Sequence, residues 1–392
     1  SDNLHTRFGR RRPLIALGAI IQALAFGMIW MVPPYWGPVA LTAWLVVSQV
    51  IFYAGFSLFS VPLAALQYEI TPDYDERTRV SAVSGFFGKL GELGYSWVFR
   101  IASSAMFVSV VVGVRTVGWV VAIFVLGMIG LLPALAVRER YFRKTEKQAP
   151  VRLGPSIAAA FTSKAFVILV GLTILQIVAG MFASNLDYYL LVYSMSGGDV
   201  TAGTTLKATL SSSYALVGIL AIYPVNWLAQ RIGKTQTVIV TFALAFFGAF
   251  GKWFIFQPGN GFWVPFDALL CGPVWIAINV LTPAMLADVC DEDELRHGLR
   301  REGMFGAIFS WIQKMGYSTA FFGAMFSLQL TGFDAARGGA QTPETILRLR
   351  LILALSTAAW ALLAFDLLAI YPLNRQRAHE IRAALEARRG RV

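Results

Sequence analysis

The fold is decided by residues 287–316, which read ADVCDEDELRHGLRREGMFGAIFSWIQKMG. The stretch is dense in charged residues as far as Gly303 and must lie in water there, whereas the remainder is apolar and continues to Gln329 as a predicted membrane helix. Lys314 follows Gly303 by eleven residues, which places it about 16 Å along a helix and near the middle of a ~30 Å hydrocarbon layer. A charge at this depth is costly, so we expect Lys314 to line a binding site. The alternative is a structural lysine that a nearby carboxylate neutralises.

The composition is typical of a membrane protein. Of the 392 residues, 57% are hydrophobic and only 14% are charged, against about 25% charged in a soluble protein. The net charge of +11 does not indicate nucleic-acid binding, because Lys and Arg lie in short segments between apolar runs, as in cytoplasmic loops. Cys271 and Cys290 predict neither a disulfide framework nor a metal site. Gly233-Lys234-Thr235 lacks the upstream glycine of a phosphate-binding loop, so we expect no enzymatic activity and no cofactor.

Ten apolar runs predict ten transmembrane helices in an all-α polytopic membrane protein. They lie at about 14–32, 39–66, 81–108, 116–137, 166–192, 205–228, 235–256, 262–286, 303–329 and 346–373. The predicted organisation is an N-terminal bundle at 1–137, a cytoplasmic connecting loop at 138–165, a six-helix bundle at 166–373 and a basic, helical cytoplasmic tail at 374–392.

The distribution of positive charge predicts the orientation. Alternate segments between the apolar runs, together with both ends of the chain, hold 24 of the 33 Lys and Arg residues. By the positive-inside rule this side is cytoplasmic, so both ends of the chain are expected inside an inner or plasma membrane.

An internal repeat relates the two halves. Pro62 leads into GFFGKLGELGYS at 85–96, and Pro283 leads into GMFGAIFSWIQKMGYS at 303–318. Two similar bundles related by an axis along the membrane normal are typical of the major facilitator superfamily. With six helices to each bundle, the first two of twelve helices are expected to be missing before Ser1.

The apolar run at 81–108 carries a pair of charged residues at membrane depth. Lys89 and Glu92 are i,i+3 neighbours and can pair on one helix face. The pair is either a structural ion pair or a site at which Glu92 carries a coupling proton. Close helix packing is predicted for Gly85, Gly88, Gly91 and Gly94.

Three loop segments together resemble the glycoside–pentoside–hexuronide:cation symporters, the melibiose-carrier-like branch of the major facilitators. These segments are SDNLHTRFGRRRP at 1–13, PLAALQYEITPDYDERTRV at 62–80 and ADVCDEDELRHGLRREG at 287–303. The resemblance covers the whole chain. It implies twelve helices in the complete protein and solute uptake driven by Na⁺ or H⁺.

The resemblance also assigns candidate binding residues. Lys314 matches the eleventh-helix lysine of the family, Ser60 stands where melibiose-type carriers have a sugar-binding aspartate, and Ser57 stands at a sodium-site hydroxyl. Ala64 and Gly85 replace the sugar-stacking tryptophan and the sugar-binding arginine, which argues against a melibiose-like substrate. The cation-binding aspartates fall before Ser1. The candidate substrate- and ion-binding residues are Lys314, Ser57, Ser60, Lys89, Glu92 and Asn279.

Charged residues in the cytoplasmic loops are candidates for latches across the interface of the two bundles. They are Arg10, Arg11, Asp73, Arg77, Asp288, Asp291, Arg300 and Arg301. The alternative is that these loops are simply solvated and only set the orientation of the helices.

The sequence thus predicts a monomeric, cation-coupled symporter of a small sugar- or glycoside-like solute that works by alternating access. One alternative is a carrier of lysolipids or other amphiphiles, whose cavity would open laterally to lipid. Another is a non-transporting membrane receptor or scaffold, whose core would be dry and filled.

Overall fold

A computed structural model describes residues 11–33, 35–69, 74–136, 161–297 and 302–389. The contacts divide the chain into two compact units, Ser1–Ala149 and Pro150–Val392, and this division falls within the predicted connecting loop. The described residues form helices and no strand, which confirms the all-α fold. The first unit contains α1 (Arg12–Ile29), α2 (Pro38–Glu69), α3 (Tyr74–Ala102) and α4 (Val110–Ala136). The second contains α5 (Lys164–Met195), α6 (Val200–Ile232), α7 (Lys234–Ile255), α8 (Asp267–His297), α9 (Glu302–Leu330), α10 (Pro343–Ala369) and α11 (Arg375–Arg389).

Eight helical segments in the described part of the chain are long and apolar enough to cross a membrane. They correspond to α1, α2, α4, α5, α6, α7, α8 and α10. The helices α3 and α9 have 29 residues each and overlap predicted runs, but they are not among the eight. The count of ten transmembrane helices therefore stays a prediction.

Glycines allow α1 and α2 to cross with their backbones in contact. A Cβ atom at Gly18 would lie 2.4 Å from the backbone nitrogen of Phe59 and 2.8 Å from the carbonyl oxygen of Gly55. A Cβ atom at Gly55 would in turn lie 2.7 Å from the backbone nitrogen of Gln22. Small residues at helix interfaces are the usual means of close packing in membranes. Here they hold together the two helices that begin the first unit.

The glycines of α3 are not used in this way within the part of the chain that the structure describes. No described heavy atom lies within 4 Å of a Cβ atom built at Gly88, Gly91 or Gly94. The predicted close packing is therefore absent at these three positions, and Gly85 lies outside the described side chains.

Arginine side chains cap the C-terminal ends of four helices. The last carbonyls of a helix have no intrahelical partner and carry partial negative charge, which a guanidinium can satisfy. The donor–acceptor pairs are Arg12 with Ala134 of α4 (2.6 Å), Arg115 with Trp30 at the end of α1 (3.3 Å), Arg350 with Trp253 of α7 (2.6 Å) and Arg375 with Arg231 of α6 (2.8 Å). Each bond ties the end of one helix to a residue distant in sequence.

The core of the second unit extends into the tail. Phe166 of α5 and Phe305 of α9 are fully buried and meet edge to face, with ring centroids 5.0 Å apart. Ile381 and Leu385 of α11 belong to the same apolar cluster and are almost fully buried. The tail helix is therefore packed against the bundle through its apolar face.

Two lysine–aspartate pairs join α7 and α8, one at each end of α7. At one end Lys252 Nζ lies 2.6 Å from Asp267 Oδ2, and both side chains are buried. At the other end Lys234 Nζ lies 2.6 Å from Asp288 Oδ2. The two lysines are 18 residues apart, or roughly 27 Å along the helix. The pairs therefore fix how far α7 can slide along α8.

The α1–α2 crossing predicts a difference between two otherwise identical substitutions. We expect Gly18→Ala to lower the free energy of unfolding by about 1–3 kcal/mol, because its methyl group must push apart two backbones. Gly88→Ala adds the same methyl group where the structure offers space, and we expect no loss of stability. Thermal unfolding of the detergent-solubilised protein measures both, and equal melting temperatures for the two variants would contradict the described crossing.

The buried pair at one end of α7 predicts a strong asymmetry between single and double substitutions. Lys252→Ala should cost about 3–5 kcal/mol, because it leaves the Asp267 carboxylate buried without its counter-charge. The double variant Lys252→Met/Asp267→Asn should recover most of this loss, since neither position is then charged and the amide oxygen can still accept the hydrogen bond of the Tyr214 hydroxyl.

The matched control is Arg348→Gln, which breaks an exposed pair with Glu344 and should cost less than about 1 kcal/mol. Thermal unfolding of the four proteins in the same detergent compares them. A Lys252→Ala variant that melts with the parent protein would show that this pair does not hold α7 to α8.

Candidate functional site

Lys314 lies on the exposed face of α9. It follows Glu302 by twelve residues, so it is about 18 Å from the start of the helix. The opposite face packs on α5, where a Cβ atom at Gly316 would lie 3.5 Å from Ile177. Ser310 and Ser318, four residues before and after Lys314, are exposed with it and share its side of the helix. Among the described residues, the Lys314 ammonium has no hydrogen-bonded or ionic partner.

Asn279 is the second candidate in this unit. It is exposed on α8, in a row with Pro283 and Ala287 at four-residue spacing. Its amide has no hydrogen-bond partner within the described ranges. Lys314 and Asn279 are therefore both available to a solute, one as a cationic donor and the other as a neutral donor and acceptor.

The remaining candidates belong to the first unit. Ser57 is exposed and Ser60 is half-buried, both on α2, and Glu92 is exposed on α3. The side chain of Lys89 lies outside the described part of the structure. The Lys89–Glu92 pair and its inward orientation therefore stay predictions.

The candidate latch residues are only partly described. Arg11 is buried, whereas Asp288 and Asp291 are half-buried. Asp288 accepts one hydrogen bond from Lys234 within its own unit, so its negative charge is already paired inside this unit. The latch role of all eight residues stays a prediction. Arg10, Asp73, Arg300 and Arg301 lie outside the described residues, and Arg77 lies outside the described side chains.

Asp288 also influences Tyr371, which follows α10. The Tyr371 hydroxyl is buried and has no hydrogen-bond partner among the described atoms. Burial raises the pKa of this phenol well above its usual range, and the carboxylates of Asp288 and Glu292 raise it further. Tyr371 therefore stays neutral, as a buried side chain beside two acids must.

The structure reveals a buried group of charges that the sequence did not predict. This charge cluster comprises Asp187 of α5, Lys207 of α6, Lys252 of α7 and Asp267 of α8. Lys207 Nζ lies 2.5 Å from Asp187 Oδ1, and Asp267 binds Lys252 and also accepts a hydrogen bond of 2.7 Å from the Tyr214 hydroxyl. The cluster joins four helices and contains equal numbers of positive and negative side chains.

Asp187 and Asp267 are almost fully buried. Their exposed fractions are 5% and 1%, because each carboxylate is enclosed with a lysine of a neighbouring helix. Cys271 lies in the same cluster, with Sγ 3.8 Å from Asp267 Oδ1, and both cysteines of the chain are buried. For the Lys252–Asp267 pair the sequence gives a partial signal, since both residues lie close to the connection between α7 and α8 and are therefore at the same end of these two helices.

The described residues contain no group of three or more His, Cys, Asp or Glu side chains that could hold a metal ion. The two carboxylates of the charge cluster do not fit a cation, because each already binds an ammonium group. A Na⁺ site formed by residues before Ser1 thus stays a prediction.

Comparison with known proteins identifies the family. The chain is 23% identical to the uncharacterized symporter sll1374 of Synechocystis sp., over 99% of this chain and 86% of that protein. It is 26% identical to the glucuronide carrier protein homolog of Escherichia coli K12, over 99% of this chain and 82% of that protein. The crystal structure of a mutant of the nucleoside transporter NupG shares the fold, with a TM-score of 0.61 and 14% identity over 92% of this chain and 84% of that chain.

These likenesses extend over nearly the whole chain and confirm the resemblance that the three loop segments indicated. The model of a protein family described as MFS/sugar transport protein matches residues 1–375. The chain therefore belongs to this family of multi-pass membrane transport proteins.

Proposed function

We propose that the protein is a cation-coupled secondary transporter that carries a small polar solute of the sugar or glycoside class by alternating access. Its family and its likeness to a symporter and to a glucuronide carrier protein homolog support this proposal. The coupling ion is Na⁺ or H⁺. The proposed transporter acts as a monomer and needs no other cofactor.

The observation that carries the proposal is the Lys314 ammonium. It lies near the middle of α9, on an exposed face, without a hydrogen-bonded or ionic partner among the described residues. An ammonium at membrane depth persists only beside water, a carboxylate or a bound polar solute. This arrangement favours a wet solute site over the dry core of a scaffold.

The charges of the candidate residues favour a solute with a carboxylate. Lys314 contributes a positive charge, while Ser57, Ser60 and Asn279 are neutral donors and acceptors. The position at which the family resemblance would place a sugar-binding aspartate is Ser60, which carries no negative charge. A uronic acid sugar offers hydroxyl groups to the neutral side chains and a carboxylate to the ammonium.

We further propose that both ends of the chain are cytoplasmic. The basic segments and the tail helix α11 would then lie on the side where the positive-inside rule requires them. The loops containing Asp73 and Arg300 would lie on the same side and act as charged latches during the transport cycle.

Substitution of Lys314 tests the transport proposal. We expect Lys314→Ala in the full-length protein to abolish gradient-driven uptake, with expression and membrane insertion nearly unchanged, because Lys314 touches no described partner that folding requires. Lys314→Arg should also impair uptake, since a planar guanidinium does not replace a compact ammonium in a shaped site. Uptake into membrane vesicles is measured with an imposed Na⁺ gradient or an imposed pH gradient, for a glucuronide and for a neutral glycoside.

The matched control is Thr319→Ala on the same helix. Thr319 is exposed, and its hydroxyl donates a hydrogen bond to the backbone of its own helix, at Met315, so uptake should be retained. Normal uptake by Lys314→Ala would reduce this residue to a structural charge. Preferential uptake of a lysolipid over both sugars would instead favour the amphiphile carrier.

A further inference from the structure

A pocket of about 530 Å³, lined by both polar and apolar side chains, lies at the end of the second unit where α6 passes into α7. It is bounded by the ends of these two helices, by α8 and by the start of the tail helix α11. None of the candidate solute-binding residues lines it. The polar side chains that line it include those of Gln230, Lys234, Asp288, Asn374, Arg375 and His379.

The charged lining of the pocket is positive on balance. Lys234 Nζ lies 2.6 Å from Asp288 Oδ2, so this pair is neutral as a unit. Arg375 adds a positive charge, and it donates only one described hydrogen bond, from Nη1 to the Arg231 carbonyl oxygen. A guanidinium has five N–H donors, so Arg375 retains donors for a ligand. His379, exposed on α11 one turn further along, adds a group that can donate.

The N-terminus of α7 opens into the same pocket. Gly233 occupies the position before the helix with φ of +96° and has no side chain that could cap it. The pocket is lined by Gly233, Lys234 and Thr235. The first amides of a helix lack intrahelical acceptors and lie at the positive end of its dipole, which makes such an end suited to anions. The helix dipole and Arg375 therefore act on the same space.

A tryptophan beside the pocket favours a position at the depth of lipid headgroups. Trp227 is partly exposed on α6, and the Arg231 guanidinium lies over its ring at 4.3 Å. Tryptophan is enriched where the apolar core of a membrane meets water. Gln230 and Gly233 of the pocket lie within two turns of this tryptophan along the chain.

We propose that this pocket binds a phosphate anion, held by Arg375, by Lys234 and by the first amides of α7. Such an anion comes from the headgroup of an anionic phospholipid or from free phosphate. Basic pockets between helix ends bind anionic headgroups on the cytoplasmic side of membranes. Because α11 contributes Arg375 and His379, the bound anion would fasten the tail helix to α7. The pocket is separate from the candidate solute-binding residues, and its existence does not depend on the proposed function.

Binding to the purified full-length protein tests the proposal. Native mass spectrometry and titration compare phosphatidylglycerol with phosphatidylcholine of the same acyl chains, and with inorganic phosphate alone. We expect phosphatidylglycerol to bind more tightly than phosphatidylcholine. If added phosphate does not displace phosphatidylglycerol, the ligand is the lipid headgroup. If phosphate binds alone and displaces the lipid, the ligand is free phosphate.

Substitutions locate the bound anion. Arg375→Gln should weaken phosphatidylglycerol binding roughly tenfold, because it removes a charge-assisted hydrogen bond. Arg377→Gln is the matched control, since it removes the same charge from the same helix. In the described part of the structure Arg377 pairs with Glu380 at 3.0 Å, and it is not among the residues that line the pocket. The affinity of this variant should equal that of the parent protein.

Asp288→Asn is a second test variant, which keeps the proposal testable if Arg375→Gln does not fold. It removes the carboxylate from the lining and frees Lys234, so the affinity for phosphatidylglycerol should rise. Misfolding would lower this affinity, so a rise cannot result from a damaged fold. Equal affinity of all four proteins for phosphatidylglycerol, equal binding of the two lipids, or a loss of affinity in Asp288→Asn would each overturn the proposal.

Discussion

The second unit depends on the requirement that charges inside a membrane bundle be matched. Lys234 and Lys252 of α7 each bind an aspartate of α8, so the two helices are joined at both ends. Such pairs gain little over apolar packing, but a broken pair leaves a costly buried charge. Sliding either helix by one turn would separate both pairs at once. The position of α7 along α8 therefore depends more on the free-energy cost of a buried, unpaired charge than on the attraction within each pair.

Much of the fold follows from the order of apolar and charged residues along the chain. The apolar runs predict the long helices, because a bilayer imposes a minimum apolar length on each span. Lys314 illustrates how far this reasoning extends to the site. Its depth follows from the rise per residue after a charged edge, whereas its role in solute binding stays a prediction. The helices α3 and α9 show the limit, since the polar residues that suggest function also weaken the apolar signal of a span.

The charge cluster could not be predicted in the same way. Asp187 and Lys207 are on consecutive helices, and whether they face one another or water depends on the rotation of each helix about its axis. Composition does not determine that rotation, since packing of neighbours such as Gly180 against Trp275 does. The glycines of α3 failed as a packing signal for the same reason. Spacing identifies a face of a helix, but not what lies against it.

The two cysteines bear on how the protein can be studied. Cys271 lies beside Asp267 and Cys290 lies in the apolar core of the second unit, and both are buried. They are the only cysteines in the chain. A water-soluble maleimide therefore reaches neither of these two thiols. A single cysteine introduced on an exposed helix face would then be labelled without background from Cys271 or Cys290. The unaltered chain of residues 1–392 can therefore serve as its own unlabelled control when accessibility across the bilayer is measured.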